Sequence, residues 1–145
     1  MRLALEEAKK AADKNEVPVG ALIVKGDQVI ARAHNQRETT HNAVAHAEIL
    51  AIEEACKVLG DWRLDECVLF VTLEPCAMCG GAAYLSRLKG IVYGANDPKG
   101  GSLGGTFDLS LVKGFNHQPF IKSSILEEEC ANIISEFFKN KRISS

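Results

Sequence analysis

The chain has 145 residues, a formal net charge of −2, 46% hydrophobic residues and 25% charged ones. This is an ordinary globular composition, enough for a single domain over residues 1–145 and too little for two. The charge excludes a protein that holds nucleic acid mainly by bulk positive field, and no apolar run approaches the roughly 18 residues of a membrane span.

A domain of this size buries roughly 70% of its unfolded-chain surface and needs no disulfides to fold. The five cysteines are an odd number with no signal-peptide pattern ahead of them. They point to a reducing cytoplasm, where a C-x-x-C pair reads as metal-binding or redox before it reads as a structural bridge.

In chain order, Leu3, Leu5, Ala8, Ala11 and Ala12 lie among Glu and Lys and predict an amphipathic helix over residues 2–15, bracketed at its end by Pro18 and Gly20. Residues 19–25 and 28–33 are β-prone and flank the turn pair Gly26 and Asp27, a hairpin signal. The polar stretch Thr39-Thr40-His41-Asn42 supplies cap residues for a second helix over 43–58, with Ile49, Ile52 and Leu59 on its apolar side and Gly60 and Asp61 at its stop. Residues 67–73 read C-V-L-F-V-T-L, the nearly continuous apolar run of a strand covered on both faces.

Pro75 ends that strand, and a third helix is predicted over 76–88 with Gly90 as its cap. A strand follows at 91–93. Residues 94–106 hold five of the 12 glycines and read as a long functional loop. Residues 107–112 read as a short helix and 119–122 as an edge strand. The last helix spans 127–141, with Cys130, Ile133, Ile134, Phe137 and Phe138 as its buried stripe. The order predicts an α/β fold, a three-layer α/β/α sandwich around one mixed sheet.

The chemistry concentrates where two of these helices begin. His46-Ala47-Glu48 lies near the start of the second, and Pro75-Cys76-Ala77-Met78-Cys79 opens the third. Cys76 and Cys79, at i and i+3, face the same way. In a first turn the helix dipole and free amides favour thiolates.

Zinc takes Cys sulfur and His nitrogen in a tetrahedron. Two thiolates and a neutral imidazole cancel the charge of Zn²⁺ and leave a fourth position for a water that can lose a proton. Glu48, not needed as a ligand, can accept that proton and pass it to a ring nitrogen and a leaving ammonia. H-x-E with P-C-x-x-C is the signature of zinc-dependent nucleobase deaminases.

Each motif alone is weak. C-x-x-C could be half a zinc ribbon or a redox pair, but a ribbon needs further ligands and a redox pair needs no H-A-E. Cys56, Cys67 and Cys130 lie in apolar patterns and read as small core residues. His34 and His41 read as loop residues or partners of the ligands, His117 as an organiser of the turn before the last strand, and Trp62 as a packing residue.

Beyond that signature, E-V-P-V-G-A at 16–21, A-H-N at 33–35, T-L-E-P-C-A-M-C-G-G-A at 72–82, Y-G-A-N-D-P-K at 93–99, F-N-H at 115–117 and E-F-F-K-N at 136–140 resemble the bacterial tRNA-specific adenosine deaminase family over almost the whole chain. The resemblance implies a cytidine-deaminase-like sandwich with a five-stranded sheet, one zinc per subunit, a homodimer, and hydrolysis of adenosine to inosine at the wobble position of a tRNA, typically an arginine tRNA.

Carried over by position, His46, Cys76 and Cys79 are the ligands and Glu48 the proton shuttle. Asn35 is similar to the asparagine that hydrogen-bonds a flipped adenine, Val19 to a pocket-wall residue, and Asp97 to the acidic residue that meets the neighbouring nucleotide. Arg37, Lys99, Phe138 and Arg142 are candidates for anticodon-loop contact. Two other functions compete: a small-molecule guanine or cytosine deaminase on the same scaffold, and a non-catalytic zinc-bearing RNA-binding module.

Overall fold

The computed structural model describes residues 1–144, with the side chains of residues 1–141. Helix α1 (Arg2–Asp13) leads into the antiparallel strands β1 (Gly20–Lys25) and β2 (Gln28–His34), joined at Gly26 and Asp27. A single helical turn, α2 (Arg37–Thr40), precedes α3 (Ala47–Leu59). Strand β3 (Cys67–Leu73), helix α4 (Ala77–Leu85) and strand β4 (Gly90–Ala95) follow. A 3₁₀ turn at Leu109–Leu111, strand β5 (Phe120–Lys122) and helix α5 (Glu127–Ser144) complete the order.

The sheet runs β2-β1-β3-β4-β5. The β1/β2 and β1/β3 pairs are antiparallel, whereas β3/β4 and β4/β5 are parallel. The expected five-stranded mixed sheet is therefore present, with β2 and β5 as its edges. Helices α1 and α5 touch each other beside the sheet, and α3 and α4 form a second touching pair. The main core fills the space around β1, β3 and β4 with Ile23, Leu69, Val71, Leu88 and Ile91, all fully buried. A smaller cluster of Leu5, Ala95 and Cys130 lies under α5.

Several boundaries differ from the sequence pattern. Helix α3 begins at Ala47, four residues late, because Asn42 Oδ1 accepts from the Val44 amide and holds 42–45 as a turn. Helix α4 stops at Leu85, and Gly90 opens β4 instead of capping the helix. The chain leaves α4 where Ser86 accepts from the Leu64 amide at 2.8 Å, and Arg87 takes a left-handed φ of 61°. The short helix at 107–112 is only the 3₁₀ turn.

In α1, Leu3 is 39% exposed, and Ala4 and Glu7 join Leu5, Ala8 and Ala11 on the buried side. In α5, Phe138 is 43% exposed and leaves the predicted stripe. Adjacent helical positions are about 100° apart, so Phe137 and Phe138 cannot share one buried face. Trp62 is 51% exposed in the turn after α3, with the Arg63 guanidinium 4.5 Å over its ring. Cys67 and Cys130 are buried, while Cys56 is only half-buried.

Candidate active site

Both signature motifs sit at helix N-termini that open on one cavity. His46 is the N-cap of α3 and Cys76 the N-cap of α4, each with extended backbone. The His46 Nδ1 lies 3.6 Å from Cys76 Sγ and 3.4 Å from Cys79 Sγ. All three donor atoms fall within 4.8 Å of one another, and no other His, Cys, Asp or Glu group among the described residues does so with three members.

One imidazole and two thiols are a zinc donor set. Bonds of about 2.0–2.1 Å to nitrogen and 2.3 Å to sulfur in a tetrahedron set the N···S edge near ~3.5 Å. The observed separations fit that edge.

The electrostatics suit a cation. The hydrogen bond from Cys79, with His46 beside it, holds the Cys76 thiol down at about 3 against the opposing effect of burial. The same contact raises Cys79, and burial adds to the rise. His46 is raised by its hydrogen bond with Cys76, against burial. A cation bound here would displace the protons that remain on these donors.

Glu48 lies in the first turn of α3 and is 4% exposed. Burial pushes its carboxyl up to about 7, against a bond from its own backbone amide and the nearby His46 charge. A carboxyl poised near neutrality can both accept and return a proton.

The cavity of about 170 Å³ is lined by Val17, Val19, Asn35, His46, Glu48 and Asp97, with Arg37, Leu73, Glu74 and Cys76 among the rest. Asn35 follows β2. Its Oδ1 accepts from the Arg37 amide at 3.3 Å, and its Nδ2 donates to the Val17 carbonyl at 3.2 Å. These partners fix which end of the amide is oxygen, and they leave one N–H and one lone pair unused.

The remaining predicted residues fall elsewhere. Lys99 is exposed in a turn where its amide donates to Asp97 Oδ1, outside the cavity lining. Phe138 stands on α5, edge-on to Phe137 and away from the lining. The side chain of Arg142 lies outside the described residues.

His34 is not a loop residue. It ends β2, buried, with its Nδ1 3.1 Å from Glu7 Oε1 and its Nε2 3.2 Å from Lys14 Nζ. His41 is exposed at the C-cap of α2. His117 Nε2 donates to the Leu88 carbonyl at 2.7 Å, which ties the segment before β5 to the end of the α4 region.

Besides Glu7 on α1, two further buried carboxylates, Glu16 and Glu74, escaped the sequence reading. Glu16 accepts from the Glu38 amide and from both the amide and hydroxyl of Thr39, holding α2 and hence Arg37 at the cavity rim. Glu74 accepts from three amides of the 97–105 loop. The available signal was an acid beside apolar residues and close to proline, in T-L-E-P and in E-V-P.

The family model described as MafB19-like deaminase matches residues 1–142. Over 142 residues the chain is 54% identical to the tRNA-specific adenosine deaminase of Bacillus subtilis (strain 168), covering 98% of this chain and 88% of that protein. The chain belongs to the tRNA-specific adenosine deaminase family.

A solved tRNA:A34 deaminase, studied for A-to-I editing at the wobble position of transfer RNA, superimposes on this deaminase with a TM-score of 0.89. It is 42% identical, and the match covers 92% of this chain and 96% of that one. The guanine deaminase of Bacillus subtilis is more distant, at 30% identity and a TM-score of 0.64 over 97% of this chain and 90% of its own.

Proposed function

We propose that this deaminase hydrolyses adenosine to inosine at the wobble position of a tRNA, with an arginine tRNA as the first candidate substrate. The observation that carries the reading is the meeting, in one cavity, of the His46/Cys76/Cys79 cradle, buried Glu48 and the half-used amide of Asn35. The 54% identical relative supports adenosine in tRNA over other substrates.

Zinc held by His46, Cys76 and Cys79 would supply Lewis-acid activation of the attacking water. Glu48 takes the proton released by that water on a carboxylate oxygen. It delivers that proton to N1 of the adenine ring, then takes the second proton of the water from the hydroxyl now on C6 and passes it to the departing amino group, so that adenosine and water become inosine and ammonia. Asn35 offers its free N–H and lone pair to the base edge, and Val19 packs on the ring.

The flanking nucleotides meet Asp97 on one side and Arg37 on the other, with Lys99, Phe138 and Arg142 as outer contacts. The chain acts as a homodimer in the cytoplasm. Apolar Leu85 and Leu111, 70% and 78% exposed, supply surface for a second copy. No described helix is long and apolar enough to cross a membrane.

A small-molecule guanine deaminase is the second reading, favoured by the solved guanine deaminase neighbour. A non-catalytic RNA module gives no reason to bury Glu48 beside the cradle. Incubation with a bacterial arginine tRNA transcript, followed by nucleoside analysis, tests the proposal, with free guanine, cytosine and adenosine in parallel. Inosine from the tRNA is the expected result. Turnover of a free base with an untouched tRNA overturns it.

A further inference from the structure

Glu74 takes no part in the proton transfers assigned to Glu48. This residue joins β3 to Pro75, is 2% exposed, and borders the cavity. Its Oε1 accepts from the Asp97 amide at 3.0 Å. Its Oε2 accepts from the Leu103 amide at 2.8 Å and the Gly105 amide at 2.9 Å. A buried carboxylate is costly unless its lone pairs are met, and here one loop meets them with three main-chain donors in charge-assisted bonds.

The loop's glycines serve this approach. A Cβ at Gly101 would collide with Glu74 Oε2 and the Asp97 carbonyl, and one at Gly105 with the Asp97 carbonyl. Bonds also run the other way. The Ser102 amide and hydroxyl donate to the Pro75 carbonyl at 2.9 and 2.8 Å, and that hydroxyl also reaches the Cys76 carbonyl at 3.0 Å. Residues 74–76 and 97–105 are thus latched in both directions. Asp97 is fixed by its own amide to a residue two positions from the cradle, and its Oδ1 is steadied by the Lys99 and Gly100 amides.

We propose that Glu74 is the positioning residue of the pocket wall: by gripping the amides of Asp97, Leu103 and Gly105 it presents Asp97 preformed to the nucleotide that flanks the target base. The inference rests on the RNA reading above and names the residue that prepares the site for the flanking nucleotide. A preformed wall spares the ordering cost that a loose loop pays on binding. Loss of the latch therefore falls on substrate capture, while His46 and Glu48 keep their places on α3.

Glu74→Gln keeps one carbonyl oxygen and turns an NH₂ towards one of the three donors. With zinc content equal to wild type, its KM for an adenosine-bearing RNA stem-loop should rise about tenfold, with kcat within about twofold. The amides of Asp97, Leu103 and Gly105 should exchange faster. In an Asp97→Ala background the same change should add less than about twofold, because both act on one wall.

Gly105→Ala, whose added carbon would collide with the Asp97 carbonyl and crowd Glu74 Oε2 while leaving the carboxylate itself in place, should reproduce the KM signature if Glu74→Gln does not fold. Zinc loss, a fall in kcat at constant KM, or full additivity with Asp97→Ala would overturn the assignment. A wild-type protein that leaves the stem-loop unchanged would refute the substrate instead. Amide exchange would still decide the latch, since unaltered protection in Glu74→Gln would overturn it.

Discussion

His46 Nδ1 lies 3.4 Å from Cys79 Sγ although 33 positions separate the two residues in the chain. The contact exists because α3 and α4 touch beside the sheet and start near one point, so each helix N-terminus delivers its motif to the same cavity. Glu48 stands two residues along from His46 and lines the same cavity.

Removing a cradle donor should remove the metal. Cys76→Ala protein is expected to bind less than about a tenth of the zinc held by wild type, since a site with three protein ligands retains little affinity with two. Metal analysis after dialysis measures this. Because bound zinc competes with protons on Cys79 and His46, retention should weaken as the pH is lowered. Undiminished zinc in Cys76→Ala would place the metal elsewhere.

Glu48→Ala should lower turnover by at least about 10²–10⁴-fold, the usual contribution of a positioned acid–base group. Zinc content and thermal stability should stay close to wild type or improve slightly, since the change removes a buried carboxyl whose charge burial already disfavours. Single-turnover kinetics with parallel metal analysis separate the two roles, because zinc loss would show that Glu48 serves as a ligand.

Glu16 gives a pH signature in stability. Burial tends to raise its carboxyl, but the bonds from Thr39 and Glu38 outweigh it and the net shift is downward. A lowered folded pKa means the stabilisation is complete above the unfolded value, about 4.3, and is lost as the pH falls through the folded one. Glu16→Gln should therefore melt below wild type at pH 7, by about 1–3 kcal/mol of stability. The gap should begin to narrow as the pH falls below about 4.3 and close only below the lowered folded value. A gap that stays constant from pH 7 to pH 3 would remove Glu16 from this role.

The meeting of His46, Cys76 and Cys79 was legible from sequence because its signals are local: H-A-E and P-C-A-M-C each lie within one helical turn, and type and spacing single them out. The hairpin and β3 were legible because alternation and apolar runs report burial directly. The unread parts depend on contacts across the chain. Thr39 and Thr40 looked like caps for the next helix, yet the Glu16 carboxylate, 23 residues away from Thr39, draws 37–40 into a separate turn. Glu74 reaches Leu103 over 29 residues, a pairing that no periodicity encodes. Trp62 was misread because size and hydrophobicity do not tell an exposed turn from a core position.

The substrate base should have to leave its stack before it can react. Glu48, His46 and Cys76 line a cavity of about 170 Å³ together with Val19, Asn35 and Asp97. That volume admits a single base and excludes a base pair, so the carbon bearing the amino group of a paired adenine cannot approach the His46 and Cys76 donors. Extrusion from a duplex costs a few kcal/mol and less from a loop, where pairing is already absent. One adenosine sequence presented in a stem-loop should therefore react at least about tenfold faster than within a perfect duplex. Asn35→Ala should slow the loop reaction about tenfold, the effect of one lost hydrogen bond to the base edge, with zinc content unchanged. Asn35 cannot discriminate pairing, so the loop-to-duplex ratio should survive in that variant. Inosine formation on both substrates by both proteins measures the four rates together. Equal rates on loop and duplex by wild type would contradict an extruded base.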